Sequence, residues 1–101
     1  MVRRVVLDGA VSIRNVEAMR QTLLDSFQEA DALSLDIPAE QSVDLCGVQL
    51  IESARAFARA VGKTLTLERP ATAFAGVLDG AGFLTDPSDD DRRFWLHEGT
   101  A

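Results

Sequence analysis

At 101 residues the chain is long enough for one domain and too short for two. Sixteen acidic residues against ten basic ones, a net charge of -6 and a pI near 4.6, exclude the basic face of a nucleic-acid binder. Cys46 is the only cysteine, which rules out an internal disulfide and points to a reducing, cytoplasmic setting.

The N-terminal MVRRVVLDG has no apolar run long enough for a secretory signal. No stretch approaches the ~20 apolar residues of a membrane span, so no membrane insertion is expected. In chain order, Arg4 to Asp8 is a short β-branched run that Gly9 ends, and it reads as a strand. Residues 11–14 form either a second short strand or an extended lead-in. Asn15 is placed to cap a helix whose core stripe is Val16, Met19, Leu23, Phe27 and Ala30, with Glu17 complementing the dipole.

Ala32 to Ile37 alternates Leu33, Leu35 and Ile37 with Ser34 and Asp36, so it is a second strand, closed by Pro38. After the loop PAEQSVD, residues 47–61 read as a helix. Its apolar face comprises Val48, Leu50, Ile51, Ala54, Phe57, Ala58 and Val61, with Glu52, Arg55 and Arg59 on the opposite, polar side. Gly62 suits the left-handed position after that helix. Lys63 to Arg69 alternates again and stops at Pro70. A third helix is expected from about Thr72 to Ala81, with Phe74, Val77, Leu78 and Ala81 facing the core. The polar DPSDDDRR then leads to FWLHE, which either adds an edge strand or packs Phe94 and Trp95 over the sheet.

Strand–helix alternation implies an α/β fold with helices packed on a sheet and joined by right-handed crossovers. The expectation is a single domain over 1–101, its core at about 4–84 and a C-terminal extension at 85–101. At its centre is a mixed sheet of about four strands with helices mainly on one face.

The residues support little catalytic chemistry, and no enzyme or cofactor is expected. Zinc needs three or four ligands, and Cys46 and His97 are far apart in sequence. Cys46 as a nucleophile would need an activating base, whereas Asp44 nearby opposes thiolate formation; a small packed side chain is the simpler reading. Gly62-Lys63-Thr64 imitates the end of a phosphate loop, but Phe57 stands where that motif requires glycine. Asp89, Asp90 and Asp91 lack the alternation and glycine of a calcium loop, and fit a solvated turn or the first turn of a short terminal helix.

The order of elements, with DLCGVQL opening the second helix, resembles the STAS domain of anti-anti-sigma factors and of sulphate-transporter tails. LDGAVSIRNVEAMRQTLL is similar to that family's first strand, turn and helix. SLDIPAEQSVDLCGVQLIESARAFARAVGKTLTL is similar to its central strand, switch loop, second helix and next strand, and AGVLDGAGFL to its last helix. Regulated members carry Asp-Ser-(Ser/Thr)-Gly in the switch loop, where a partner kinase phosphorylates the residue after the aspartate. Asp44 and Gly47 match that pattern, Leu45 occupies the phosphoacceptor position and Cys46 the next. The resemblance therefore implies a bacterial interaction module without the usual phosphorylation switch. Asp44, Leu45, Cys46, Gly47 and Ser42 would form its partner-binding corner, and Ser42 is a candidate displaced acceptor. Leu45 points either outward or into the core, and Gly47 either admits a partner's backbone or relieves the turn.

The implied partner is a histidine-kinase-like anti-sigma factor, a chemotaxis or signalling protein, or another STAS copy, which includes a homodimer. Alternatives are a structural subunit like the STAS proteins bound to the ATPase of a lipid-trafficking transporter, or a small-ligand or nucleotide site at the same helix start. The acidic C-terminal segment with Trp95 is the competing interaction surface.

Overall fold

A computed structural model describes residues 2–7, 9–38, 41–83 and 85–97. Its elements run β1 (Val2–Val6), α1 (Val16–Glu29), β2 (Ala32–Asp36), α2 (Leu45–Ala60), β3 (Thr64–Leu67), a 3-10 turn (Ala71–Phe74), α3 (Ala75–Gly80) and α4 (Asp89–Leu96). β1 begins two residues before the expected start, and Asp8 at its expected end lies outside the described residues.

Among the described residues the sheet has three strands in the order β1-β2-β3, and both pairings are parallel. This corrects the expected mixed sheet of four. The 11–14 segment contributes only an isolated parallel bridge, Val11 to Val43, before turning into α1. FWLHE adds no edge strand, because residues 94–96 end α4.

Strands added in one direction by crossovers of one hand carry their helices on the same face. The burial pattern agrees. Val5, Leu7, Leu33, Leu35, Leu65 and Leu67 all point to one side and are buried there. On the other side Val2, Val6, Thr64 and Thr66 are exposed, so helices lie on one face, as expected. A parallel sheet is ordinarily covered on both faces. Here charges cross the open side: Arg4 of β1 pairs through Nη2 with Asp36 of β2 at 2.5 Å and through Nε with Glu68, the residue after β3, at 2.9 Å.

The core is built by Met19, Leu23 and Phe27 of α1, Val48 and Ile51 of α2, and Leu78 of α3 against the strands. Asn15 holds the N-cap position of α1 without capping through its side chain. Its Nδ2 donates to Ala10 O at 2.7 Å and closes the preceding loop instead. Gly62 has φ +74, the left-handed geometry expected after α2. The helix anticipated over 72–81 is divided in two, because Phe74, drawn into the core, adopts φ -128, ψ 31 and interrupts the ladder.

Two assignments on α2 are reversed. Arg55 is 6% exposed rather than on a solvated side, while Phe57 and Val61 are 40% and 48% exposed rather than in the core. The cause is α4, which covers the Arg55 side. Arg55 donates through Nη1 to Asp91 at 2.8 Å and through Nη2 to Asp90 at 2.5 Å, with its guanidinium 4.6 Å over the Phe94 ring. Trp95, 1% exposed, packs edge-on to Phe94 and Phe74 with ring centroids 4.9 and 6.3 Å apart. The acidic run Asp89–Asp91 is thus the first turn of a helix, capped by Ser88 in a reciprocal capping box with Asp91.

Burial pushes the Asp91 carboxyl upward, but hydrogen bonds from Arg55 and Ser88 outweigh it and hold it below its ordinary 3.8. A carboxyl lowered by folding adds stability that is complete above its unfolded value and fades as pH falls through the folded one. The stability gap between wild type and Asp91→Asn should therefore be constant at neutral pH and shrink as pH falls below about 4. Urea midpoints at pH 6 and pH 2.5 check this; a gap that widens in acid would refute it.

Candidate functional site

The corner above β1 and β2 is made by two loops that hydrogen-bond to each other. Val11 N donates to Ser42 O at 2.8 Å, and Asp44 N donates to Val11 O at 3.1 Å. The 42–44 segment is thereby held in line with residue 11, and α2 starts directly after it.

Asp44 is the N-cap of α2, with extended backbone at φ -100, ψ -176. Its Oδ1 accepts from Gly47 N at 2.9 Å, satisfying one of the free donors of the first turn. Oδ2 accepts from Ile13 N at 3.2 Å, so the same carboxylate also fastens the first loop. The helix begins two residues before the expected position 47, because this cap recruits Leu45 and Cys46 into its first turn.

Leu45 is 49% exposed, which decides between its two orientations: it points out. Cys46 is half-buried in the first turn and has no disulfide partner. Ser42 is exposed, engaged through its backbone carbonyl.

Gly47 is buried, and its reason for being glycine lies within the chain. A Cβ there would sit 2.1 Å from Val11 O and 2.9 Å from Val11 Cγ1. The close approach it permits is between α2 and the 11–13 segment.

Sequence reading missed Ile13. Its segment reads as a strand or lead-in, yet Ile13 is 67% exposed, the most exposed large apolar side chain among the described residues. Its N–H is on Asp44, so Ile13 and Leu45 flank one carboxylate and give the corner two outward aliphatic groups. Apolar residues that leave the alternating pattern just before a helix were the available signal.

Trp95, the anchor of the competing surface, is enclosed and offers nothing to a partner. Among the described residues no three His, Cys, Asp or Glu side chains gather in a metal-binding arrangement. Cys46 opens α2, while His97 Nε2 lies 2.9 Å from Leu67 O at the end of β3. A carbonyl only accepts, so that nitrogen carries a proton. No helix among the described residues is long and apolar enough to cross a membrane.

Among its described residues the corner shows no nucleophile hydrogen-bonded to a base. It has a carboxylate committed to N–H donors and two exposed aliphatic side chains at the start of a helix, an arrangement suited to contact. No curated protein and no solved structure matches the chain. A family model described as "Mlab, STAS domain" matches residues 2–85, which span β1 through α3 and leave α4 outside the match. With that order of elements, and with a capped α2 following the 38–44 loop, the chain belongs to the STAS domain family, a class of regulatory and protein-interaction modules.

Proposed function

We propose that the domain is a non-enzymatic protein-interaction module of a bacterial regulatory pathway that docks its partner through this corner without a phosphorylation switch. The observation that carries the reading is Leu45, outward and 49% exposed in the first turn of α2, where regulated relatives would present a hydroxyl. Leucine has no nucleophilic oxygen, so position 45 cannot carry a phosphate. Asp44 is no free base, since both its oxygens hold backbone donors. The partner is a histidine-kinase-like anti-sigma factor, a signalling protein or a second STAS copy, and the protein works in the cytoplasm.

A second reading is favoured by the same absent hydroxyl. A contact that cannot be switched suits a structural subunit, as in STAS proteins held on the ATPase of a lipid-trafficking transporter. Capture of the partner from native cells separates the two, by recovering either a kinase-like or signalling protein or a transporter ATPase.

Leu45→Asp tests the corner under both readings. An acid at the first helical position complements the dipole, so the melting temperature should stay at or slightly above wild type. Affinity for the captured partner should fall by roughly 2 kcal/mol, as it does when a central contact is lost. An unchanged affinity in the folded variant would move the site elsewhere. Incubation with a cognate kinase and ATP should leave residues 44–47 unmodified by intact mass, and phosphate on Ser42 would restore a switch at a displaced position.

A further inference from the structure

We propose that the cleft between the ends of β2 and β3 is a binding site for a small amphipathic carboxylate, independent of the docking corner. Its origin is visible in the chain. Both strands are followed by proline, at Ile37-Pro38 and Arg69-Pro70, each three positions beyond the paired residues Leu35 and Leu67. Neither proline can donate a ladder hydrogen bond, so the two connections part instead of continuing the sheet. Between them and the 3-10 turn lies a cleft of about 310 Å³. That is the lower end of the range for small-ligand sites, and it opens at the carboxyl ends of the parallel strands β2 and β3.

The cleft is mostly apolar, its polar side chains being Arg69 and Thr72. Leu35, Ile37, Leu67 and Phe74 line it, together with Arg69. Arg69 Nε lies 3.2 Å from Asp36 Oδ1, close enough for charge pairing. That oxygen nevertheless receives no hydrogen bond, so the Nε–H is not aimed at it. The Asp36 side chain is 4% exposed and its other oxygen is taken by Arg4. The Arg69 side chain is 54% exposed and is drawn toward Asp36 by charge, which leaves its N–H donors available beside the cleft. A planar guanidinium with free donors beside an apolar cleft matches a carboxylate on an apolar body: the head accepts two N–H bonds and the tail covers Phe74 and the leucines. A purely apolar occupant would leave those donors unused, and a cation would meet Arg69.

The test is a titration of the whole ¹⁵N-labelled chain with octanoate, and in parallel with octanol and octylamine, followed by amide shifts. Octanoate should give saturable shifts confined to residues 35–37, 67–69 and 71–74 and bind about fivefold or more tighter than octanol, as expected for charge-assisted hydrogen bonds in an open site. Arg69→Gln should bring octanoate down to the affinity of octanol while leaving octanol itself unchanged. Ala73→Phe, which fills the cleft from its exposed rim, should remove binding of both. The proposal is overturned if octanoate and octanol bind wild type equally. It is also overturned if the shifts fail to saturate or centre on another surface, such as the groove between α1 and α2. Folded Arg69→Gln retaining wild-type octanoate affinity has the same consequence.

Discussion

Gly47→Ala should cost about 3 kcal/mol and lower the melting temperature by roughly 15 °C, although it replaces glycine by the best helix former in a helix. If propensity were the only term, the substitution would stabilise α2 by up to ~1 kcal/mol. Geometry reverses the sign. The new Cβ would lie 2.1 Å from a backbone oxygen, Val11 O, which cannot rotate aside as a side chain would. Relief requires moving the 11–13 segment, which breaks or lengthens the Val11–Ser42, Asp44–Val11 and Ile13–Asp44 hydrogen bonds together. The corner is then lost as a unit. Thermal and urea unfolding of the variant measure the effect, and a variant as stable as wild type would show that the two loops do not approach as described. Because Ile13 and Leu45 are held by those bonds, partner affinity should fall even under conditions where the variant remains folded.

Arg55→Ala should lose about 2 to 3 kcal/mol, whereas Arg59→Ala, one helical turn away, should lose less than about 0.5. Both arginines pair with Asp90, but their surroundings differ. The Arg55 side chain is 7% exposed and reaches Asp90, Asp91 and, at 3.4 Å, Glu52; that of Arg59 is 67% exposed. Breaking a fully buried pair costs about 3–5 kcal/mol. The lower figure applies because the Asp90 and Asp91 side chains are 66% and 34% exposed and water can take over their hydration. Losing the guanidinium also removes its packing on Phe94. With that clamp gone, α4 should loosen and Trp95, the only tryptophan, should report it by a red-shifted emission and a weaker near-ultraviolet circular dichroism. Arg55→Lys should recover only part of the loss, since an ammonium cannot serve two carboxylates in the planar geometry of the fork. Equal effects at 55 and 59 would contradict the buried clamp.

Arg55 also marks the limit of what periodicity can reveal. Along α2 alone, Glu52, Arg55 and Arg59 form a polar stripe, and a polar stripe reads as a solvated face. The residues that cover it, Asp90 and Asp91, come 35 and 36 positions later. That segment has no apolar period of its own long enough to announce a packed helix. Phe57 was misplaced for the converse reason. Its spacing puts it with the core residues of α2, but its edge faces the shallow α1–α2 groove, tilted against Phe27 with ring centroids 5.6 Å apart.

Local chemistry by itself determined the three strands, the two long helices and the left-handed turn at Gly62. Each depends on neighbours within about one turn or on alternation along a strand. It also determined the absence of a hydroxyl at position 45, which is a matter of residue identity. Whether Leu45 faces water, what Gly47 packs against within its own chain, and whether Trp95 is surface or core were decided only by tertiary structure. Each of those answers depends on a segment distant in sequence: the 11–13 loop for the corner, and α4 for the far side of α2. The parallel three-stranded order was decided at that level as well. Alternation along a strand identifies a buried face but carries no information on which strand lies beside it or in which direction it runs.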